Sequence, residues 1–177
     1  MRSTQIPLFT PQTEWVMPDE LKDLRGCKQI AIDLETNDPN LKELGSGINI
    51  KGKIVDTMIA ASLIDENRLS YQLNTLAKHY IGMGKDESIL IAAAKEYGLD
   101  AKKDMWRLPA MFVGQYAERD AESTLKLWQR LETELYQEEL WDVFNLETKL
   151  FPCLVDMRFK GVRVEWKNTR RHKSNKI

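Results

Sequence analysis

A long stretch in the second half of the chain repeats apolar side chains at helical spacing, and this pattern constrains the fold most. Residues 108–138 read LPAMFVGQYAERDAESTLKLWQRLETELYQE, and Pro109 suits the first turn of a helix. Side chains that fit one helical face recur every three or four residues: Ala121, Thr124, Leu125, Trp128, Leu131 and Leu135. The pattern predicts one long amphipathic helix.

Other segments carry the same spacing over shorter lengths. They predict a helix through Met58, Ala61 and Leu63, another through Leu73–Tyr80 that stops at Gly82, and a third that stops at Gly98. A last helix is expected from about Trp141 to Phe159. Its apolar residues fall on one stripe: Leu146, Leu150, Leu154 and Met157.

One segment alternates in the manner of a strand. Residues 28–34 read KQIAIDL and predict a buried strand, and a shorter strand is expected at Lys53–Val55. Successive side chains of a strand point to opposite faces, so Asp33 and Glu35 share one face while the isoleucines share the other. Two neighbouring carboxylates repel each other unless a cation lies between them, and Mg²⁺ prefers carboxylate oxygens. The alternative is a solvated strand end.

Bulk properties exclude several classes of protein. The chain has 177 residues, enough for one domain with a core, and a net charge of −1, so no global charge favours nucleic acid. Two distant cysteines, Cys27 and Cys153, fit a reduced intracellular chain. The sequence has no signal peptide and no stretch that could span a membrane, so we expect a cytoplasmic protein with no membrane partner.

A second polar pair lies on the long helix. Tyr116 and Asp120 are four residues apart, so they share one face of the helix. A phenol and a carboxylate presented together could position and activate a water molecule. The alternative is a tyrosine packed on the core beside an aspartate on a solvated face.

Together these segments resemble a known family. IAIDLET and YAERDAESTLKLW resemble the first and third motifs of the 3′–5′ proofreading exonuclease domain of family A, DNA polymerase I-like enzymes, in the tyrosine branch of the Asp-Glu-Asp-Asp superfamily. KIVDTMIAASLIDENRLSYQLNTLAKHYIG is similar to the segment between those motifs in phage-type polymerases. LETKLFPCLVDMRFKGVRVE is similar to the entry to the polymerase domain. The resemblance runs from about Trp15 to Val164.

The resemblance implies an α/β protein with a ribonuclease H-like exonuclease fold, helix-rich and with a reduced sheet. It implies a two-metal Mg²⁺ or Mn²⁺ site held by Asp33, Glu35 and Asp120, with Tyr116 orienting the attacking water. The substrate would be the 3′ end of single-stranded DNA. Its contacts are expected from two further residues, Thr36 and Arg119, although Arg119 also fits an ordinary exposed helix arginine.

The composition of the two ends and the resemblance between them together predict an order of segments along the chain. Residues 1–23 would form an extended lead-in, 24–137 the exonuclease-like domain, 138–164 the entry to a polymerase domain, and 165–177 a basic disordered tail. The polymerase domain or subunit would then be supplied separately.

One part of the family pattern is missing. The second acidic motif has no counterpart, and only 22 residues separate Asp33 from Asp56. Asp56 is a stand-in carboxylate for that motif, or else the cap of the helix that follows it. The aromatic residues near these motifs are expected in the core: Trp106, Phe112, Trp128, Trp141 and Phe144.

Three interpretations of the whole chain therefore stay open. The first is a 3′–5′ exonuclease. The second is a non-catalytic DNA-binding or interaction remnant of a phage-type DNA polymerase. The third is a decayed fragment with no selected role.

Overall fold

The protein is described by a computed structural model that covers residues 13–20, 22–33 and 52–163. The described part is helical, with one short 3₁₀ turn at Met105–Arg107 before its longest helix. The α-helices are α1 (Thr57–Ile64), α2 (Leu73–Ile81), α3 (Ser88–Glu96), α4 (Ala110–Gln137) and α5 (Trp141–Lys160).

Helix α4 is the centre of the described structure, because α1, α2, α3 and α5 all pack against it. Its bounds confirm the long helix predicted from the spacing of apolar residues. Pro109 lies at its N-cap with φ −57°, where the fixed ring angle suits a helix start and no backbone donor is lost.

The short helices begin and end close to where the sequence predicts. The Asp56 side chain accepts a hydrogen bond from the Met58 backbone N–H at 2.8 Å and so caps α1. Gly82 and Gly98 follow α2 and α3 with φ +65°, a left-handed conformation that glycine adopts without a steric penalty. These ends confirm the cap interpretation of Asp56 and both glycine stops.

Two separate groups of buried residues lie along α4. The C-terminal core contains Ala60, Ala61, Leu76, Leu127, Trp128, Leu131, Leu135 and Phe144. The N-terminal core, formed with α3, contains Leu90, Ala93, Ala94, Leu108 and Phe112. The two cores leave the middle of α4, around Asp120, between them.

Most of the aromatic residues expected in the core are found there. Phe112, Trp128 and Phe144 are buried, and Trp141 packs against the C-terminal core. The prediction for Trp106 was wrong, since its side chain is 62% exposed. Trp106 lies in the 3₁₀ turn that precedes α4, outside both cores.

The predicted strands are not seen in the described residues. Residues 28–33 form no strand, and Ile30 and Ile32 are about half exposed. Lys53–Val55 is likewise not a strand. An isolated extended segment cannot satisfy its backbone groups without a neighbouring strand, and the described residues supply none. The predicted α/β fold is therefore seen only in its helical part, while Leu34 lies outside the described residues.

The N-terminal segment contacts α4 through one close approach. Trp15 lies directly over Gly114, where even a Cβ atom would overlap the indole ring. A glycine inside a helix costs about 1 kcal/mol relative to alanine. Its presence at position 114 is explained by the space that Trp15 requires.

Helix α5 confirms the last predicted helix but packs differently from the others. Phe144 is its one buried residue among those described. The predicted apolar stripe exists, yet its members are exposed: Leu146, Leu150, Leu154 and Met157. In the part of the chain that the structure describes, no helix is both long enough and apolar enough to cross a membrane.

Candidate functional site

Tyr116 and Asp120 lie one turn apart on α4, between the two cores. The Asp120 side chain is almost fully buried, with 4% of the residue exposed. Ser123, one turn further along the helix, is also buried. A carboxylate at such a position requires a cation or several hydrogen bonds, because burial removes its hydration.

Lys85 supplies that cation. Its Nζ atom donates a hydrogen bond to Oη of Tyr116 at 2.8 Å and another to Oδ2 of Asp120. The ammonium group also lies 4.8 Å from the centre of the Tyr116 ring. One ammonium group therefore binds both of the α4 residues that the sequence singles out.

The loop between α2 and α3 places Lys85. The Lys85 backbone N–H donates to Oδ1 of Asn74, on α2, at 2.9 Å. Before it, the Met83 N–H donates to the Ala77 carbonyl at 3.2 Å, and Gly82 ends α2 in the left-handed conformation. The backbone of Lys85 is thus fixed to α2 while its side chain reaches α4.

The electrostatics of the pair depend on opposing effects. Burial alone lowers the pKa of the Lys85 ammonium, because it penalises the charged form. The hydrogen bonds to Asp120 and Tyr116 and the charge of Asp120 together outweigh burial and raise that pKa above its ordinary value. Lys85 is therefore a cation at any physiological pH.

A small pocket of about 20 Å³ opens beside Tyr116. Its polar lining comes from Asp86, Gln115, Tyr116 and Arg119. The Arg119 Nε atom is buried and has no hydrogen-bond partner among the described residues. Arg119 therefore differs from a fully solvated helix arginine, since its Nε atom is removed from water without gaining a hydrogen bond.

The residues predicted upstream are less fully described. Asp33 is exposed at the end of the segment 22–33 and has an interaction of its own. Glu35 and Thr36 lie outside the described residues. Asp56 caps α1. Within the described ranges, no three side chains of His, Cys, Asp or Glu lie close enough together to hold a metal ion.

The chemistry of Asp120 nevertheless suits a cation. Its buried carboxylate already binds a positive charge, and carboxylate oxygens are the ligands that Mg²⁺ prefers. Asp120 is the predicted metal ligand on α4, and the other two predicted ligands, Asp33 and Glu35, belong to the upstream segment.

Sequence reasoning missed Lys85. In GMGKDES it follows a turn glycine and precedes an acidic residue, which is typical of a solvated loop. Its contacts with Tyr116 and Asp120 span 31 and 35 residues along the chain. No periodicity links positions so far apart, although the absence of a partner for a buried Asp120 could have prompted a search for a lysine or arginine.

The sequence of the chain matches a known family. The family model described as 3′–5′ exonuclease matches residues 39–136. The matched range contains Lys85, Tyr116 and Asp120 and begins after Asp33 and Glu35.

Phage DNA polymerases are similar to the chain. A DNA-directed DNA polymerase of Pseudomonas phage M6 is 33% identical over 240 positions, which cover 93% of this chain and 36% of that protein. DNA polymerase DpoZ of Acinetobacter phage SH-Ab 15497 is 36% identical over 68% of this chain and 20% of its own length. DpoZ of Vibrio phage phiVC8 is 32% identical over 69% of this chain and 22% of its own length.

Two facts follow from these alignments. The chain spans about a third or less of the length of these relatives. The M6 alignment is longer than the chain, so the M6 polymerase has residues within the aligned span that this chain lacks. Because the family model matches more than half of its residues, the chain belongs to the 3′–5′ exonuclease family of the family A DNA polymerases.

Proposed function

We propose that the protein hydrolyses phosphodiester bonds at the 3′ end of single-stranded DNA. The observation that carries this proposal is the joint placement of the Tyr116 phenol and the Asp120 carboxylate inside the range matched by the exonuclease model. Family membership supports the reaction class, and the polar site between two apolar cores supports these residues as its centre.

Divalent metal is part of the proposal. Asp33, Glu35 and Asp120 would hold two Mg²⁺ or Mn²⁺ ions, and Asp120 is the ligand whose surroundings are described. Bound metal ions would supply stabilisation of the attacking and leaving oxygens of the phosphodiester. Asp56 is an unfavourable stand-in ligand, since its Oδ1 already accepts the bond that caps α1.

The protein's own side chains would orient the reactants. The Tyr116 oxygen accepts a hydrogen bond from Lys85, and this contact would help to orient the phenol toward the attacking water. Arg119, beside Tyr116 in the small pocket, would bind a DNA phosphate with its partly buried guanidinium group. Thr36 would contact the terminal nucleotide.

The wider setting belongs to the same proposal. The relatives are about three to five times longer than the matched region and are named as DNA polymerases, so we infer that a polymerase domain or subunit acts with this domain. Residues 24–137 would be the exonuclease unit and 138–164 the connection to that partner. DNA replication would place the protein in the cytoplasm of the infected bacterium.

The test is an exonuclease assay on 5′-labelled single-stranded DNA with Mg²⁺ or Mn²⁺. We expect the wild-type chain to shorten the DNA from its 3′ end. Asp33→Ala and Asp120→Asn should each reduce the rate at least 100-fold, because each removes a proposed metal ligand. Glu122→Gln is the matched control, since Glu122 is an exposed carboxylate two residues from Asp120 and should leave the rate within twofold.

Two results would contradict the proposal. One is a folded wild-type chain that does not shorten DNA at millimolar metal. The other is shortening that persists in Asp120→Asn, which would indicate a contaminating nuclease or a different site.

A second candidate function rests on a different observation. The exposed apolar stripe of α5 and the short interval between Asp33 and Asp56 favour a non-catalytic interaction remnant that docks onto a polymerase domain. A non-catalytic remnant should bind DNA in a salt-sensitive manner without cleaving it. Asp33→Ala should not change its DNA-binding affinity. The exonuclease assay and a binding titration on the same oligonucleotide separate the two functions.

A further inference from the structure

Lys85 binds a carboxylate oxygen of Asp120, the residue proposed above as a metal ligand. Its ammonium group binds Oδ2 of Asp120, and only 5% of the Asp120 side chain is exposed. A metal ion bound to this carboxylate oxygen would therefore come within a few ångströms of another positive charge. Two cations so close together in a partly desolvated site repel each other strongly.

We propose that Lys85 is a built-in counter-ion of Asp120 that divalent metal must displace. In the metal-free protein, Lys85 neutralises the buried carboxylate and holds the Tyr116 phenol in place. When metal binds Asp120, the Lys85 ammonium leaves that carboxylate. The proposal rests on the proposed role of Asp120 as a metal ligand.

The local structure permits this exchange. The Lys85 backbone is fixed by Asn74, so the exchange needs only rotation of the side chain. That side chain is 22% exposed, which gives the ammonium group a short path to solvent. Lysine has a flexible four-carbon stem and a strongly hydrated head, and both properties favour movement between a carboxylate and water.

A second ion pair on α4 provides the contrast. Lys126 Nζ lies 2.7 Å from Glu122 Oε1, and their side chains are 50% and 55% exposed. This pair is solvated and far weaker, so its removal should not alter metal binding at Asp120. Both lysines bind a carboxylate of α4, but the Lys85–Asp120 pair is largely buried and the Lys126–Glu122 pair is exposed.

The first experiment measures Mn²⁺ binding by calorimetry and by the electron paramagnetic resonance signal of free Mn²⁺. The proteins are the wild-type chain, Lys85→Met, Lys126→Met, and the double variant that combines Lys85→Met with Asp120→Asn. We expect Lys85→Met to bind Mn²⁺ at least tenfold more tightly than wild type. Lys126→Met should stay within twofold, and Asp120→Asn should abolish the gain.

Several results would overturn the inference. Unchanged or weaker Mn²⁺ binding in Lys85→Met would mean that Lys85 does not compete with metal. A gain that survives Asp120→Asn would place the metal elsewhere. Lys85→Arg keeps the charge and should show no gain, so a gain in that variant would also contradict the proposal.

A measurement on the wild-type chain covers the case in which Lys85→Met does not fold. The Lys85 ammonium protons, held by Asp120 and Tyr116, should give a slowly exchanging ¹H–¹⁵N signal in the metal-free protein. Saturating Mg²⁺ should make that signal exchange rapidly with water. A Lys85 signal that Mg²⁺ leaves unchanged would overturn the inference.

The outcomes also separate this inference from the proposed function. Metal displacement of Lys85 without DNA shortening would leave the counter-ion role standing and remove the exonuclease activity. DNA shortening that depends on Asp120, with no effect of Lys85→Met on Mn²⁺ affinity, would support the exonuclease activity and remove the counter-ion role of Lys85.

Discussion

The two halves of helix α4 show how differently one helix can be used. Its C-terminal half, from Leu127 to Leu135, packs apolar side chains against α1, α2 and α5. The stretch from Tyr116 to Asp120, in its N-terminal half, buries a carboxylate and binds it to a lysine from another loop. The same backbone geometry supports an apolar core in one half and a buried ion pair in the other.

The net contributions of the two halves to the free energy of unfolding differ in size. Burying a leucine side chain stabilises a protein by about 1.5–3 kcal/mol. A buried ion pair gains little net stability, because desolvation of both charges offsets their attraction. We infer that the C-terminal core maintains the structure in which the Lys85–Asp120 pair can exist.

The largest loss of unfolding free energy is expected from a substitution in the C-terminal core. Leu131 is fully buried, so Leu131→Ala leaves a cavity and should lower the free energy of unfolding by about 2–5 kcal/mol. Urea denaturation followed by circular dichroism measures this change. A loss below 1 kcal/mol would mean that the two halves of α4 do not differ in the way described.

A smaller loss is expected in the polar half. Asp120→Asn keeps the shape of the side chain but removes the charge that binds Lys85, which should cost about 1–3 kcal/mol of unfolding free energy in the absence of metal. The same denaturation experiment applies, with Glu122→Gln as the control. A stabilised Asp120→Asn protein would show that the ion pair is maintained at the expense of stability.

The cap of α1 tests a contact at the edge of the C-terminal core. Asp56→Ala removes the acceptor of the Met58 N–H and should cost about 1 kcal/mol. Asp56→Asn keeps an acceptor and should cost less. If Asp56→Ala instead abolished DNA shortening in a folded protein, Asp56 would be a stand-in ligand rather than a cap.

The smallest change in unfolding free energy is expected from a substitution on the exposed stripe of α5. Leu154 is 48% exposed, so Leu154→Ser should change the unfolding free energy by less than about 0.5 kcal/mol. Thermal denaturation of this variant beside Leu131→Ala makes the comparison direct. A large loss would show that the α5 stripe is covered in solution by another part of the protein or by a second copy.

Local pattern predicted the helices well because each depends on neighbours in sequence. The periodicity of α4, the cap at Asp56 and the glycine at position 82 are short-range signals that burial and backbone geometry confirm. The strand expected at residues 28–34 has an equally clear pattern. A strand needs a partner from elsewhere in the chain, and the pattern carries no information on whether that partner is present.

The candidate site was predictable only in part. Tyr116 and Asp120 follow from helical spacing, and their shared surroundings are now described. Lys85 could not be found in this way, because its contact depends on how α2 packs on α4. The placement of Glu35 remains a prediction, since that residue lies outside the described part of the chain.

The contact between Trp15 and Gly114 fixes a residue of the N-terminal segment against the helix that carries Asp120. The contact is possible because glycine has no Cβ atom. An alanine at position 114 would increase the helix propensity of α4, but its Cβ atom would displace the Trp15 indole ring from the helix. The substitution would therefore weaken the attachment of the N-terminal segment to α4 without changing any side chain of the Tyr116, Asp120 and Lys85 group.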